Sequence, residues 1–298
     1  MVPLDASYAY CRRLARSRAK NFYYSFLLLS REQRDAICAV YAFMRHCDDL
    51  SDDPDTGGAG AARTALEAWR RDLHRTLAGD IPGHPAWPAL ADAARRFGLP
   101  GRHLDEMIDG VMSDLVPRRL VHFDELYRYC YQVASVVGLT VIRIFGYRSD
   151  DALPLAEKCG IAFQLTNILR DIREDAGRNR VYLPAEDLER FGVDPAGFAA
   201  SRPGPNFVEL MRFEAARARA YYRESRPLIG LVHPRSRPSL WALIEIYRRL
   251  LERIEASGYD VLGRRIRVPA WEKMSIVLRA PAVSLKGWNH EAGGSPVL

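Results

Sequence analysis

A chain of 298 residues, 48% hydrophobic and 27% charged, has ordinary globular composition and enough length for a large apolar core. Its 43 Lys and Arg outnumber its 37 Asp and Glu, and the resulting net charge of +6 suits anionic ligands or anionic membrane surfaces. The basic residues are scattered and no nucleic-acid motif is present, which argues against a nucleic-acid binder.

From the N-terminus, Asp5 to Lys20 reads as a short amphipathic helix with Tyr8, Cys11 and Leu14 or Ala15 on one side. The start, Met1-Val2-Pro3-Leu4-Asp5, lacks a basic segment followed by an apolar core, so no signal peptide is expected. Ser17 to Phe26 runs from basic and polar residues into aromatics. It reads either as a surface linker or as a loop whose Lys20 and Asn21 meet a phosphate while Phe22 and Phe26 face an apolar cavity. Ser30 is a plausible N-cap with Gln33 as capping-box partner, opening a helix from about Arg31 to Leu50 that Pro54 and the following glycines stop.

Further helices are expected over Ala61–Leu77, Ala89–Phe97 and Arg102–Leu115. The last carries Asp105 and Asp109, a pair read as structural, with Asp109 and Asp114 near enough in sequence to approach a site. Phe123 to Phe145 is apolar nearly all round and reads as one long buried helix. Leu153 to Asp175 is another, followed by a basic loop at Arg178–Pro184 and a short helix through Arg190. Gly192–Pro205 reads as a loop, and Asn206–Leu228 and Ser236–Ser257 as long helices with Arg on their outer faces. A last helix is expected from Trp271 to about Arg279, and a loose tail over about 281–298. The expectation is an all-α chain of about ten helices around a central cavity.

The five cysteines, Cys11, Cys38, Cys47, Cys130 and Cys159, are odd in number and show no zinc spacing. Read as small core residues, they suggest a reducing compartment. No apolar run approaches the ~18 residues of a membrane span. The chain is therefore expected to be soluble and cytoplasmic, at most peripheral to a membrane.

Two stretches carry the chemistry. In Gln164-Leu165-Thr166-Asn167-Ile168-Leu169-Arg170-Asp171-Ile172-Arg173-Glu174-Asp175, the residues Asn167, Asp171 and Asp175 fall four apart. On a helix they share a face, each about 6 Å further along the axis. Carboxylates so placed repel, and a hard divalent cation such as Mg²⁺ would offset that repulsion. The second stretch, Tyr41 to Asp53, repeats the design with Asp48 and Asp52, and Arg45 one turn earlier. A solvated helix face is the plain reading of one such pair. Two facing ladders would instead form a carboxylate-walled mouth for metal and diphosphate.

These residues resemble the squalene/phytoene synthase family. Four motifs carry the likeness, over roughly Tyr10 to Val268: Tyr41 to Asp52, Gly110-Val111-Met112-Ser113-Asp114, Tyr129 to Gly138, and Gln164 to Asp175 running on through Arg180-Val181-Tyr182-Leu183-Pro184. The resemblance implies one isoprenoid synthase helical bundle over 1–298, with its core at about 10–268. It implies two or three Mg²⁺ ions on Asp48, Asp52, Asn167, Asp171 and Asp175. It implies substrate contacts from Lys20, Phe22, Tyr41, Arg45, Val133, Gln164, Asn167, Arg170, Arg180, Tyr182 and Arg265, with Phe26 and Phe163 also lining the pocket. Catalysis would rest on Tyr129 and the four aspartates. No departure from the pattern removes a carboxylate, so an active prenyltransferase is expected. The first reading is condensation of two farnesyl diphosphates to presqualene diphosphate and on to squalene, in hopanoid-type isoprenoid synthesis. The alternative is a phytoene synthase acting on two geranylgeranyl diphosphates; a reading of another class is a non-catalytic helical interaction protein. NADPH use and oligomeric state stay open. The partners implied are prenyl diphosphates, with peripheral membrane contact for product release.

Overall fold

The computed structural model describes residues 2–19, 22–52, 58–115, 119–199 and 204–286, and for Asp52, Ala199 and 283–286 the backbone only. Apart from one isolated bridge between Tyr147 and Val232, the described residues fold into helices and connections. In chain order these are α1 (Leu4–Arg18), α2 (Tyr23–Phe26), α3 (Arg31–Asp52), α4 (Ala59–Leu77), α5 (Trp87–Phe97), α6 (Gly101–Ser113) and α7 (Phe123–Cys130). Then come α8 (Val136–Phe145), α9 (Ala152–Ala176), α10 (Ala185–Arg190), α11 (Pro205–Ser225), α12 (Leu228–Leu231), α13 (Arg237–Ala256) and α14 (Ala270–Lys286). The fold is all-α, as the sequence leads one to expect.

Local sequence sets most boundaries. Ser30 caps α3 by accepting the Gln33 backbone N–H at 3.2 Å. The Gln33 side chain does not return to the Ser30 backbone as a capping box would. Its amide donates instead to Ile144 O and Ser236 Oγ, both at 3.0 Å, tying the start of α3 to the end of α8 and the start of α13. Gly98 ends α5 in the left-handed conformation at φ 58°, which a residue without Cβ adopts at little cost.

Two expectations need correction. Phe123–Phe145 is not one regular helix: a π-helical turn, Tyr131–Ser135, separates α7 from α8. Gly160 of α9 lies directly against that turn, so that a Cβ there would sit 2.5 Å from Ser135 Cα. Ser135 Oγ donates to Glu157 O at 2.7 Å, fixing the same contact. The wider turn and the missing side chain together let two backbones approach, which a hydrophobicity pattern cannot reveal. The last helix also runs past Arg279 to Lys286, into the stretch read as tail. Ala280, the first residue past Arg279, is still buried with Ile276 and Val277 against Ala242 and Ile246 of α13, and Pro281 does not stop the helix.

A large apolar core draws on residues from Tyr8 to Val268. All five cysteines lie in it as buried free thiols. Helix α9, 25 residues long, sits within a ring formed by α7, α8, α11, α13 and the π turn. Helix α3 packs on α1, α4, α5, α6 and α8. Both α3 and α9 lean on α8, yet they pack little on each other. The gap shows along one stripe of each helix: Tyr41, Met44, Arg45 and Asp48 on α3, and Phe163, Gln164, Asn167, Arg170 and Asp171 on α9, are half-buried. Among the described residues no helix is long and apolar enough to cross a membrane.

The tight contact at Gly160 gives a test of this packing. Gly160→Ala is expected to lower the urea-unfolding free energy by about 2–3 kcal/mol, as overpacking of a close backbone contact does. Gly60→Ala, in α4 with nothing within 4 Å, should stay within about 0.5 kcal/mol of the parent or exceed it.

Candidate active site

The C-terminal half of α9 lines one side of the gap. Its 3.6-residue period places Asn167, Asp171 and Asp175 along one stripe. Asp171 is held by two arginines. Arg170, its neighbour, donates from Nε at 2.8 Å and also from Nη2, and Arg265 donates from Nη2 to Asp171 Oδ1 at 3.1 Å. Arg265 Nη1 reaches Glu174 Oε2 at 2.7 Å, so one guanidinium bridges two acids a turn apart. The loop that carries Arg265, between α13 and α14, is fastened to α9 by Arg173, whose Nη1 donates to Leu262 O at 2.7 Å.

Asp175 differs. Burial, then the charges of Asp171 and Glu174, push its carboxyl up to about 7, against the pull of Arg180 and Arg178. Ionising it therefore costs free energy in the metal-free protein. An open groove of about 430 Å³ runs past Asp171 and Glu174, lined also by Arg170, Arg178, Val261 and Arg265 among others. A second of about 410 Å³ adjoins it at Arg264 and Arg265 and adds Arg253 and Arg267.

Further up the stripe, Asn167 Nδ2 donates to Gln164 Oε1 at 3.3 Å. Its Oδ1 is buried with no hydrogen-bond partner among the described residues. Tyr247 of α13 lies near Asn167, and burial pushes its phenol up to about 12. The Tyr247 ring stacks on Phe163 at 4.4 Å and meets Phe22 at 5.4 Å, building an aromatic wall beyond the charged end. Tyr41 of α3 is half-buried, its phenol likewise raised to about 12 by burial.

On α3, Asp48 is half-buried and Arg45 pairs with Asp49. The Arg45 Nε is buried without a partner among the described residues. Asp52 is the last residue of α3 and its side chain lies outside the described residues, as do Lys20 and Asn21. A third acid closes the far side. Asp114, just after α6, accepts from Tyr129 Oη at 3.1 Å through Oδ2 and from Tyr182 Oη at 3.0 Å through Oδ1. The two rings stack at 4.7 Å, and Arg180 Nη2 donates to the Asp114 carbonyl at 3.3 Å. Burial beside Asp114 drives both phenols far above their ordinary range, so they stay protonated. Val133 stands half-buried in the π turn, against Gly110.

The structure thus gathers Asn167, Arg170, Asp171, Asp175 and Arg265 in one cluster, with Arg180 acting on Asp175 and reaching the Tyr129–Asp114–Tyr182 group. It sends Asp109 and Asp105 elsewhere, to Arg70 and His74 of α4. One participant escaped the sequence reading, and a second, Asp114, was read only as a motif residue able to approach the site. Tyr247 sits in an Arg-rich helix whose pattern gives no hint of an inward phenol. Asp114 was recognised only as near the site, because its two tyrosine partners are 15 and 68 residues away.

The donor set fits a hard cation. It consists of carboxylate and amide oxygens, one of them buried and unpartnered, beside a carboxyl that resists ionisation. Among the described residues no three acidic, His or Cys side chains already converge as a metal cage. The arginines that hold Asp171 would have to yield part of it to a metal.

The metal-free cost at Asp175 has a definite sign. Its folded pKa of about 7 exceeds the ordinary 3.8, so as pH rises the unfolded chain releases this proton first. Stability is lost between about pH 4 and pH 7, by at most about 4 kcal/mol, and the whole cost stands above that window. In chelator at pH 8, Asp175→Asn is expected to raise the unfolding free energy by about 2–4 kcal/mol, with little change at pH 4. Equal stability of the two proteins at pH 8 would remove the strain assigned to Asp175.

Comparison with known proteins follows the same residues. The squalene/phytoene synthase family model matches residues 15–272. A phytoene synthase from Arthrospira platensis is 37% identical over 285 residues, covering 90% of each chain. A ligand-bound dehydrosqualene synthase superposes with a TM-score of 0.86 at 29% identity, over 94% of this chain and 96% of that one. The squalene synthase HpnC from Alicyclobacillus acidocaldarius gives 0.79 at 32% identity, over 87% and 97%.

Proposed function

The chain belongs to the squalene/phytoene synthase family and is a prenyltransferase of the head-to-head kind, and from that premise we propose that it joins two geranylgeranyl diphosphates into a C40 product of the phytoene type. The observation that carries the chain length is the near full-length likeness to a phytoene synthase. This reverses the order of preference drawn from sequence motifs alone. The farnesyl reading remains the second, favoured by the likeness to the dehydrosqualene and squalene synthase structures.

In this reading Asp48, Asp52, Asn167, Asp171 and Asp175 hold Mg²⁺, which when bound supplies the positive charge that makes diphosphate a leaving group. The remaining work falls to the chain. Arg45, Arg170, Arg180, Arg265 and Lys20 donate charge-assisted hydrogen bonds to diphosphate oxygens. Arg170 and Arg265 already lie on Asp171 and Glu174, within reach of an anion that binds there, and a cation would have to replace them on the carboxylates they leave. Loss of diphosphate from one substrate leaves an allylic cation. The double bond of the second prenyl chain attacks it, and the released diphosphate takes the proton lost as the cyclopropane closes. The second diphosphate then leaves the cyclopropylcarbinyl product in the same cavity, with loss of a further proton to give the C40 hydrocarbon. Phe22, Phe26, Tyr41, Phe163 and Tyr247 exclude water from that cation and turn ring faces toward it.

Tyr129, kept protonated beside Asp114, acts as a fixed donor and dipole rather than as a base. Asp114 positions it together with Tyr182, and Val133 and Gln164 complete the wall.

The test is a product assay on purified protein with Mg²⁺ and each prenyl diphosphate, with and without NADPH, read by mass spectrometry. C40 product from geranylgeranyl diphosphate, with farnesyl diphosphate poorly used, is expected. C30 product alone would install the squalene-type reading, and no product from either would return the chain to a non-catalytic role. Asp171→Asn should cut turnover by about 10²–10³-fold or more while the protein stays folded, because charge stabilisation at the leaving group is the main catalytic contribution.

A further inference from the structure

The Tyr129–Asp114–Tyr182 group draws its side chains from three separate segments, which must be held in register. Helix α10, which follows the stretch carrying Arg180 and Tyr182, has six residues, too few to stay folded without tertiary support. That support comes from two neighbouring acids. Glu186 accepts the Phe123 backbone N–H at 2.7 Å through Oε1 and meets His122 Nδ1 at 2.8 Å through Oε2, at the start of α7. Asp187, which is buried, turns to Arg217 of α11. Two backbone bonds, Ala185 N–H to Leu120 O at 2.9 Å and Glu186 N–H to Val121 O at 3.1 Å, join the same stretches.

These elements meet at Arg217. Its Nη1 lies 2.8 Å from Asp187 Oδ2 and from both carboxyl oxygens of the buried Glu214. Its guanidinium also lies 4.1 Å from the ring centre of Phe123, the first residue of α7, and 4.7 Å from that of Phe213. Burial, with Asp187 behind it, pushes the Glu214 carboxyl up to about 8 against the pull of Arg217. At neutral pH Glu214 therefore keeps its proton, and the trio avoids a second buried negative charge. Buried ion pairs add little stability over apolar side chains of the same volume. A planar guanidinium instead fixes direction as well as distance.

We propose that Arg217 is a positioning residue for the reaction, holding the start of α7 and helix α10 together so that the hydroxyls of Tyr129 and Tyr182 both meet Asp114. Phe123 lies on the helix that carries Tyr129, and Asp187 on the helix that opens just after Tyr182. One guanidinium thus spans both tyrosine-bearing elements. Arg217 acts through these tyrosines, on the reading that places them in the site, and not on the substrate itself. Arg180 is held separately, its backbone N–H bonding Asp175 O at 2.9 Å near the end of α9. Loosening Arg217 therefore shifts the tyrosine pair while the diphosphate contacts along α9 stay in place.

The experiment compares two variants of the full chain with the parent. Arg217→Lys keeps a positive charge beside the two acids but loses the planar group that spans to Phe123. Arg217→Met combined with Asp187→Leu and Glu214→Met removes every charge and fills the space with apolar side chains, so its urea-unfolding midpoint should match or exceed the parent's. On the prenyl diphosphate that the parent uses, both variants are expected to lower kcat about ten-fold while KM stays within about two-fold. In hydrogen exchange without substrate, residues 180–184 should exchange faster in both variants, with α3 unchanged. Parental kcat in Arg217→Lys overturns the proposal. So does recovery of parental kcat by the apolar variant along with its stability, since the trio would then serve only the fold. Unchanged exchange over residues 180–184, or a change in KM alone, overturns it as well. The exchange measurement contains no prenyl diphosphate, so its outcome is separate from any failure of the assigned reaction.

Discussion

Repulsion among acids on one helix end is the constraint on which the rest of the structure turns. Asp171, Glu174 and Asp175 lie within five residues at the end of α9, and like charges at helical spacing destabilise a helix. The fold answers with guanidinium groups from three directions: Arg170 within the helix, Arg180 after it and Arg265 from the loop beyond α13. The compensation is incomplete, and Asp175 shows it by resisting ionisation. If a cation binds here, as proposed, it would relieve that repulsion, and stability forgone without it would reappear as affinity.

The arrangement divides labour along a single helix. The C-terminal end of α9 is charged and opens to grooves rich in arginine. One to two turns back, Phe163 and Asn167 meet Tyr247, and the surroundings become aromatic and dry. Further back still, Gly160 lets the π turn press against the helix. A polar head and an apolar tail of one substrate would thus find their environments in register. Close contacts at Gly160 against Ser135 and at Gly110 against Gln132 and Val133 help set this register.

Much of this was legible in the sequence because it is local. Periodic apolar residues located α3 and α9 to within two residues at each end, and four-residue spacing put the acids on common stripes. The all-α class followed from the same periodicities. What escaped depends on residues far apart in the chain. The π turn exists because a glycine 25 residues on from Ser135 allows it, and no pattern within the Tyr131–Ser135 stretch announces it. Tyr247 enters the site because α13 packs on α9, and Asp114 gains meaning only through two tyrosines from different elements. The end of α14 was placed about seven residues early, at Arg279, although Ala280 is still buried against α13.

The central claim is that the acids of α9 and the arginines around them form one device for a metal-bridged diphosphate. Calorimetric titration of inorganic diphosphate into the protein, with Mg²⁺ and with chelator, tests it without any prenyl chain. The account predicts tight binding with Mg²⁺, weak binding in chelator, and loss of the Mg²⁺-dependent part in Asp171→Asn. Equal affinity with and without Mg²⁺, unchanged by Asp171→Asn, would mean that the arginines alone hold the anion and that the carboxylates serve only the fold.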